Sequence, residues 1–264
     1  MLLKVKLSCQ EHLVPGDTLI EKVKWLEEHE FQGIELWAFQ IKDRVEEIKQ
    51  VFNHTSIQMS ALCGGYEGQL FGDSTESTQT AIAGVKELIQ ISSDIGCPGV
   101  IVVPSFGTSR SLGVLQPLPS ITRSQVESFS TTLLDLAQVA QHYHIKLYVE
   151  AINRYESVCF NQLRDIVAAF ELVSSPSLAL LADTFHMSIE ESSPTDSINQ
   201  FQSSIGYVHL ADTNRRAPGL GHMDFSSILQ GLHAISYSGF MSLECFIQEE
   251  KELVQARDYV RGLI

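Results

Sequence analysis

Four residues in the second half of this chain stand at the ends of short apolar runs: Glu150 after Tyr148-Val149, Asp183 after Leu181-Ala182, His209 after Tyr207-Val208 and Glu244 after Ser242-Leu243. Two glutamates, an aspartate and one imidazole form a hard, oxygen-rich donor set. It suits one divalent cation, Mn²⁺ first, with Mg²⁺, Co²⁺ or Zn²⁺ as alternatives, and leaves positions for substrate oxygens. A cation chelated by a substrate carbonyl and a neighbouring hydroxyl acts as a Lewis acid, stabilising the enediolate formed when a proton leaves the carbon beside the carbonyl. The two glutamates can then move that proton. Each residue also has a plainer reading. An acid at a strand end is often a helix cap, and Asp183 before Thr184 has that arrangement. Glu150 and Glu244, inside apolar runs, are costly to bury without a partner.

Hydrophobic period and breakers predict what must position these residues. Strands are expected at 2–8, 33–37, 57–62, 99–103, 146–150, 178–183, 206–210 and 239–245. Helices are expected at 17–30, 40–53, 75–95, 123–144, 161–173, 188–203, 224–236 and 249–262. In the first helix, Asp17 or Thr18 can cap, and Leu19, Val23 and Leu26 recur at helical spacing. Eight strand-helix units predict a closed (β/α)8 barrel, one α/β domain over residues 1–264, rather than an open doubly wound sheet. No glycine-rich fingerprint follows the first strand; Cys9-Gln10-Glu11-His12 stands there instead. The irregular stretch 104–122, with three prolines and Arg110, reads as an active-site loop or lid. Parity completes the argument. If Leu147, Val149, Leu180, Ala182, Val208, Leu210, Met241, Leu243 and Cys245 face the helices, then Glu150, Asp183, His209 and Glu244 face inward at the same end of the barrel.

Composition narrows the function classes. Eighteen basic and 32 acidic residues leave a formal charge of −14. That balance argues against nucleic acid and against an anionic membrane surface. Five cysteines without Cys-x-x-Cys spacing suggest neither a disulfide framework nor a zinc ribbon, so a reducing cytoplasm is expected. The start Met1-Leu2-Leu3-Lys4-Val5-Lys6 is too short and too charged for a signal peptide, and no apolar stretch of ~18 residues follows.

At the four candidate residues the sequence resembles the xylose-isomerase-like barrel superfamily, and within it the ketose 3-epimerases of the D-tagatose and D-psicose type. The matching stretches are VEAINRYE (149–156), LADTFHM (181–187), HLADTNRRAPGLGHMDF (209–225) and SLECF (242–246). The resemblance implies Glu150, Asp183, His209 and Glu244 as metal ligands, with Glu150 and Glu244 also the paired acid and base. It implies that Glu156, His186 and Arg215 contact the oxygens of a small sugar-like substrate, against the plainer readings that Glu156 pairs with Arg154 and that Arg215 is solvated beside Arg216. It further implies epimerisation at carbon 3 of a ketose, and a homodimer paired through exterior helices.

Relatives with the same ligands run other chemistry, including hydroxypyruvate isomerase, inosose isomerases and dehydratases, and dehydroshikimate dehydratases. Asn153-Arg154-Tyr155-Glu156 favours the 3-epimerases, and Ile152 stands where a dehydratase would carry histidine. His222 and Asp224 are less diagnostic, and Asp224 is read first as a helix cap. Two rivals come from other classes. An apurinic-site endonuclease shares Asp183-Thr-Phe-His186 but needs histidines after strands three and four, where Cys63-Gly64-Gly65 and Pro104-Ser105-Phe106 stand instead. A noncatalytic ligand-binding barrel would have no use for the full ligand set. Arg110, Arg215 and Arg216 leave a phosphorylated substrate open, although no glycine-rich phosphate cradle is present.

Overall fold

The computed structural model describes residues 6–72, 74–107 and 120–264. The first four residues of the first expected strand, Arg110, and most of the 104–122 stretch lie outside these. Eight parallel strands close on themselves in sequence order. They are β1 (Lys6–Gln10), β2 (Gly33–Trp37), β3 (Gln58–Cys63), β4 (Gly99–Val102), β5 (Lys146–Glu150), β6 (Leu178–Asp183), β7 (Ile205–Leu210) and β8 (Phe240–Leu243). The α-helices among the described residues are α1 (Leu19–Glu28), α2 (Val45–Phe52), α3 (Thr75–Ile95), α4 (Arg123–His142), α5 (Leu163–Val173), α6 (Thr184–Glu190), α7 (Pro194–Gln200), α8 (Phe225–Ala234) and α9 (Lys251–Gly262). This is the expected (β/α)8 barrel. No described helix is long and apolar enough to cross a membrane.

The parity of the strands explains the closure. Leu147, Val149, Leu180, Ala182, Val208, Leu210, Met241 and Leu243 face outward into one large core shared with the helices. Alternate residues form a separate interior cluster of Ala61, Ile101, Tyr148, Ala179, Leu181 and Tyr207. A strand with both faces buried in this way carries apolar residues almost continuously, and its rare polar residues stand out. None of the five cysteines forms a disulfide. Thr18 caps α1 in a reciprocal box with Glu21, and Thr122 caps α4 with Gln125 in the same way.

Three departures from the expected boundaries bear on the site. β1 runs to Gln10 rather than ending at residue 8, which carries Gln10 into the barrel mouth. The helix expected at 188–203 is two short ones: α6 starts directly on Asp183, and Pro194 opens α7 behind the cap Ser193. Proline cannot donate the amide that a continuous helix needs there, whereas the first helical position requires none. β8 ends at Leu243, one residue before Glu244, yet the Glu244 amide still donates to the Leu210 carbonyl at 3.2 Å. Glu244 therefore keeps the inward parity of its strand.

Candidate functional site

The strand ends bring Glu150, Asp183, His209 and Glu244 together, one candidate ligand atom from each lying within 4.8 Å of all the others. His209 Nδ1 is 3.0 Å from Glu244, 3.5 Å from Glu150 and 3.8 Å from Asp183. Glu150 Oε1, Asp183 Oδ2 and His209 Nδ1 are buried without a hydrogen-bond partner. Buried polar atoms are nearly always paired, because an unpaired one forfeits its hydration. Three unpaired atoms converging on one point, with a third carboxylate beside them, have the chemistry of a cation site. Asp183 shows how the plainer reading and the functional one coexist. Its Oδ1 accepts from the Phe185 and His186 amides and caps α6, while Oδ2 turns to the cluster.

Electrostatics agree with this reading. Burial, then the neighbouring Glu244 and Glu150, hold the Asp183 carboxyl well above its ordinary range. Burial would lower the His209 imidazole, but Glu244, Glu35 and Glu150 outweigh it and raise it well above its ordinary value. Burial likewise pushes Glu244 up, and His209 and Arg215 more than offset this, leaving it below the usual carboxylate range. The field that favours a proton on His209 favours a divalent cation for the same reason.

Two partners absent from the sequence reading stand behind the cluster. Glu35, on β2, is fully buried and lies 2.9 Å from His209 Nε2 through its Oε2, which also accepts from the Tyr207 hydroxyl at 2.9 Å. A carboxylate only accepts, so Nε2 carries a hydrogen toward Glu35, and Nδ1 is the nitrogen that faces the cluster, where a bound cation would replace its proton. Gln10 donates to Glu35 Oε1 and to Glu244 Oε1, each at 2.8 Å, and spans the two carboxylates. Both residues follow the parity that exposed the other four. In Gly33-Ile34-Glu35-Leu36-Trp37, Ile34 and Leu36 are outward and Glu35 is inward.

His186, Glu156 and Arg215 meet on the adjoining wall. The Asn153 side-chain amide donates to His186 Nδ1 at 2.7 Å, with the Asn153 backbone amide 3.4 Å from the same nitrogen. Nδ1 is therefore an acceptor, and Nε2–H faces Glu150 and Asp183 at 3.6 and 3.8 Å. Burial lowers the His186 pKa, in keeping with a neutral ring. Arg154 does not pair with Glu156: it forms a two-pronged bridge to Glu190, at 2.9 and 2.8 Å. Glu156 instead takes the Asn153 amide and faces His186 and Arg215, each at 3.7 Å. Nor is Arg215 solvated beside Arg216. Its side chain is 18% exposed, lies over the Phe185 ring and reaches Glu244 at 3.4 Å, while Arg216 pairs with Glu252 at 2.9 Å.

Arg215 adopts φ 58°, a left-handed conformation that costs a non-glycine residue energy and must be imposed by its surroundings. Asp212 imposes it. This buried carboxylate accepts from the amides of Thr213 at 2.8 Å, Gly219 at 3.0 Å and Met223 at 3.0 Å, and its own carbonyl takes the Arg215 amide at 2.8 Å. At Gly221 a Cβ would fall 2.1 Å from Asp212 Oδ1, so only glycine lets the loop wrap this closely. Asp212→Ala removes the carboxylate that accepts three amide hydrogen bonds and should destabilise the fold by about 3 kcal/mol, the ~1.5–3 kcal/mol of each such bond being reduced by relaxation and by water. The check is denaturant unfolding; a loss below about 1 kcal/mol would show that the loop holds itself. Asp224 caps α8 through the Ser227 amide at 3.1 Å, as read first from sequence.

Above the cluster opens a cavity of about 570 Å³ whose lining includes Gln10, Glu150, Glu156, His186, Arg215 and Glu244. An apolar-walled cleft with a few convergent polar groups, at the C-terminal face of a parallel barrel, defines a small-molecule site. The chain belongs to the xylose isomerase-like TIM barrel family, whose pattern it matches over residues 23–263. It is 25% identical to the 3-dehydro-D-guloside 4-epimerase of Escherichia coli K12 over 259 residues, 98% of this chain and 99% of that protein. It is 31% identical to the L-ribulose 3-epimerase of Mesorhizobium japonicum over 165 residues, which cover 62% of this chain and 54% of that protein. The crystal structure of apo 3-keto-D-glucoside 4-epimerase from E. coli superposes with a TM-score of 0.89 at 24% identity, covering 98% of this chain and all of that one, a likeness of fold.

Proposed function

We propose that this protein is a divalent-metal-dependent sugar epimerase that inverts the carbon beside a substrate carbonyl, which in a ketose is carbon 3. The observation that carries this reading is the convergence of Glu150 Oε1, Asp183 Oδ2 and His209 Nδ1, buried and unpaired, on a point flanked by Glu244. Glu150, Asp183, His209 and Glu244 would hold the ion, Mn²⁺ first. Bound there, it supplies Lewis-acid polarisation of a substrate carbonyl and hydroxyl, which acidifies the neighbouring C–H. The names of the two relatives support the class: one acts at carbon 4 of a 3-dehydro sugar, the other at carbon 3 of a ketose, and both carbons adjoin the carbonyl.

The residues divide the work. Glu150 and Glu244 come from strands three places apart around the barrel, β5 and the end of β8, so each can face one side of a flat enediolate. One removes the proton and the other returns one to the opposite face, which inverts the centre. His186, with Nε2–H aimed into the site, and Arg215 donate to substrate oxygens, while Glu156 accepts from a hydroxyl. Glu35 and Gln10 hold His209 and Glu244 in place. Glu35→Gln should weaken Mn²⁺ binding by about 10–100-fold, the usual effect of removing such a support. Isothermal titration with Mn²⁺ reads this directly, and an unchanged affinity would remove Glu35 from the account.

The reading is tested by incubating the Mn²⁺-loaded protein in deuterium oxide with ketohexoses, ketopentoses and 3-keto-glycosides, following exchange by NMR. Deuterium at the carbon beside the carbonyl, together with the inverted product, supports it. Exchange at carbon 1 of a ketose with formation of an aldose would instead make the protein an aldose-ketose isomerase.

A further inference from the structure

One buried amide on the connection after β5 touches two of the groups that face the cavity. Asn153 is 1% exposed, and each partner of its side chain has a fixed role. Oδ1 accepts from the Tyr155 amide at 2.9 Å, while Nδ2 faces Glu156 Oε2 and, at 2.7 Å, His186 Nδ1. A backbone N–H only donates and a carboxylate only accepts, so both contacts orient the Asn153 amide the same way round. Its NH2 group therefore gives one hydrogen to Glu156 and the other to His186. The Asn153 backbone amide points at the same ring nitrogen from 3.4 Å, so two donors meet at Nδ1. That nitrogen carries no hydrogen of its own, and the hydrogen of the neutral ring sits on Nε2.

The loop and the helix that carry these residues are locked together. The Asn153 carbonyl accepts from the Glu156 and Ser157 amides at 3.0 and 2.9 Å, which closes a turn. Asn161 holds the turn through the carbonyls of Ile152 at 2.6 Å and Ser157 at 3.2 Å. At the end of α6, Glu190 accepts from the Arg154 backbone amide at 2.7 Å as well as from its guanidinium. At the start of α6, the Thr184 hydroxyl donates to the Ala211 carbonyl at 2.7 Å and accepts from the Ala211 amide at 2.9 Å. His186 thus cannot drift from Asn153 without breaking bonds at both ends of its helix.

The contact has a chemical reason. Glu156 Oε2 lies 3.7 Å from His186 Nδ1, and without a donor between them the carboxylate would draw the hydrogen of the ring to Nδ1. The Asn153 amide satisfies both as acceptors. On the far side of the ring, Nε2 and Arg215 Nη1 stand 3.5 Å apart, at the limit of a direct contact. With its hydrogen on Nε2, the ring joins Arg215 as a second donor, and the two are spaced to share one oxygen. We propose that Asn153 is a positioning residue that fixes His186 as its Nε2–H tautomer, so that His186 and Arg215 together donate to a substrate oxygen that gains charge as the enediolate forms. This rests on the epimerase reading and adds to it the residue that sets the ring. Asn153 is not among the residues lining the cavity, so it acts through His186 and Glu156.

The ring is read directly by long-range proton–nitrogen NMR of ¹⁵N-histidine-labelled protein loaded with diamagnetic Mg²⁺, the signals of His186 being identified by their loss in His186→Gln. The wild type should show Nδ1 bare and Nε2 protonated; a hydrogen on Nδ1 overturns the proposal. A double variant, Asn153→Asp with Glu156→Gln, keeps the net charge and nearly the volume but reverses both bonds. The glutamine now donates to the aspartate, and the aspartate requires a hydrogen on His186 Nδ1. Compared with Glu156→Gln alone, the double variant should melt within a few degrees, carry its hydrogen on Nδ1 and lose a further ~100-fold in kcat, the usual effect of removing one such donor, with KM changed by less than about threefold. A kcat equal to that of Glu156→Gln would show that Asn153 only holds its loop, and overturns the proposal. The ring spectra need no turnover, so the two readings fail separately. The expected tautomer and its reversal in the double variant, with no keto-sugar turned over, keep Asn153 in control of the ring and overturn the epimerase reading. Turnover by a wild type that carries its hydrogen on Nδ1 keeps the epimerase and overturns the role of Asn153.

Discussion

Glu244→Gln should lower kcat by about 10³-fold at saturating Mn²⁺, roughly 4 kcal/mol on the barrier, while leaving a folded protein. The expectation follows from what the change removes and what it keeps. Glutamine has the shape of glutamate, and its one carbonyl oxygen can still accept from the Gln10 amide, now 2.8 Å from Glu244 Oε1, while the contact of Oε2 with Arg215 at 3.4 Å is lost. It cannot take up or release a proton at working pH, so a carbon beside the carbonyl loses one of its two proton partners. Circular dichroism and a thermal melt establish that the fold persists. A variant that epimerises within tenfold of wild type would exclude Glu244 as acid or base.

Stripping the metal is the second large perturbation. The chelated protein should lose activity below detection and regain it with Mn²⁺. Metal in thousandfold excess over its Kd should stabilise the fold by about 4 kcal/mol, raising Tm by roughly 10 °C in a chain of this size. Asp183→Asn refines the test because the two oxygens of Asp183 face different partners. Oδ1 caps α6 and an asparagine oxygen can do the same, whereas Oδ2 is replaced by an amide that repels a cation. The metal-free melting temperature should stay within a few degrees of wild type, and the Mn²⁺-induced rise should vanish. A variant destabilised without metal but still shifted by Mn²⁺ would make Asp183 a cap alone.

Much of this arrangement was legible in the sequence because a barrel strand buried on both faces tolerates few polar residues. Within LALLAD or IGYVHL, one acid or imidazole at the inward parity has no bland place to go, and the sheet brings such residues to one rim. Gln10 and Glu35 escaped for different reasons. The first strand was read as ending at residue 8, so Gln10 seemed to lie beyond it, whereas Glu35 obeys the same parity as Glu150 but belongs to no matching motif. Contacts made across the barrel are harder still to foresee. Arg154 has two neighbouring candidates for a partner, yet it bridges to Glu190, 36 residues away. The left-handed turn at Arg215 depends on amides as distant as Met223 reaching one carboxylate.

The most direct test of the two-glutamate account is solvent exchange by each single variant presented separately with the two epimers. In Mn²⁺ and deuterium oxide, Glu150→Gln should still wash deuterium into one epimer without converting it, and Glu244→Gln should do so only with the other. Each variant retains the base for one face of the substrate and lacks the acid for the opposite face. That reciprocal pattern is the result expected. If both variants exchanged the same epimer, or if either converted one epimer to the other at near wild-type rate, a single base would be moving the proton and the assignment of Glu150 and Glu244 to opposite faces would be wrong.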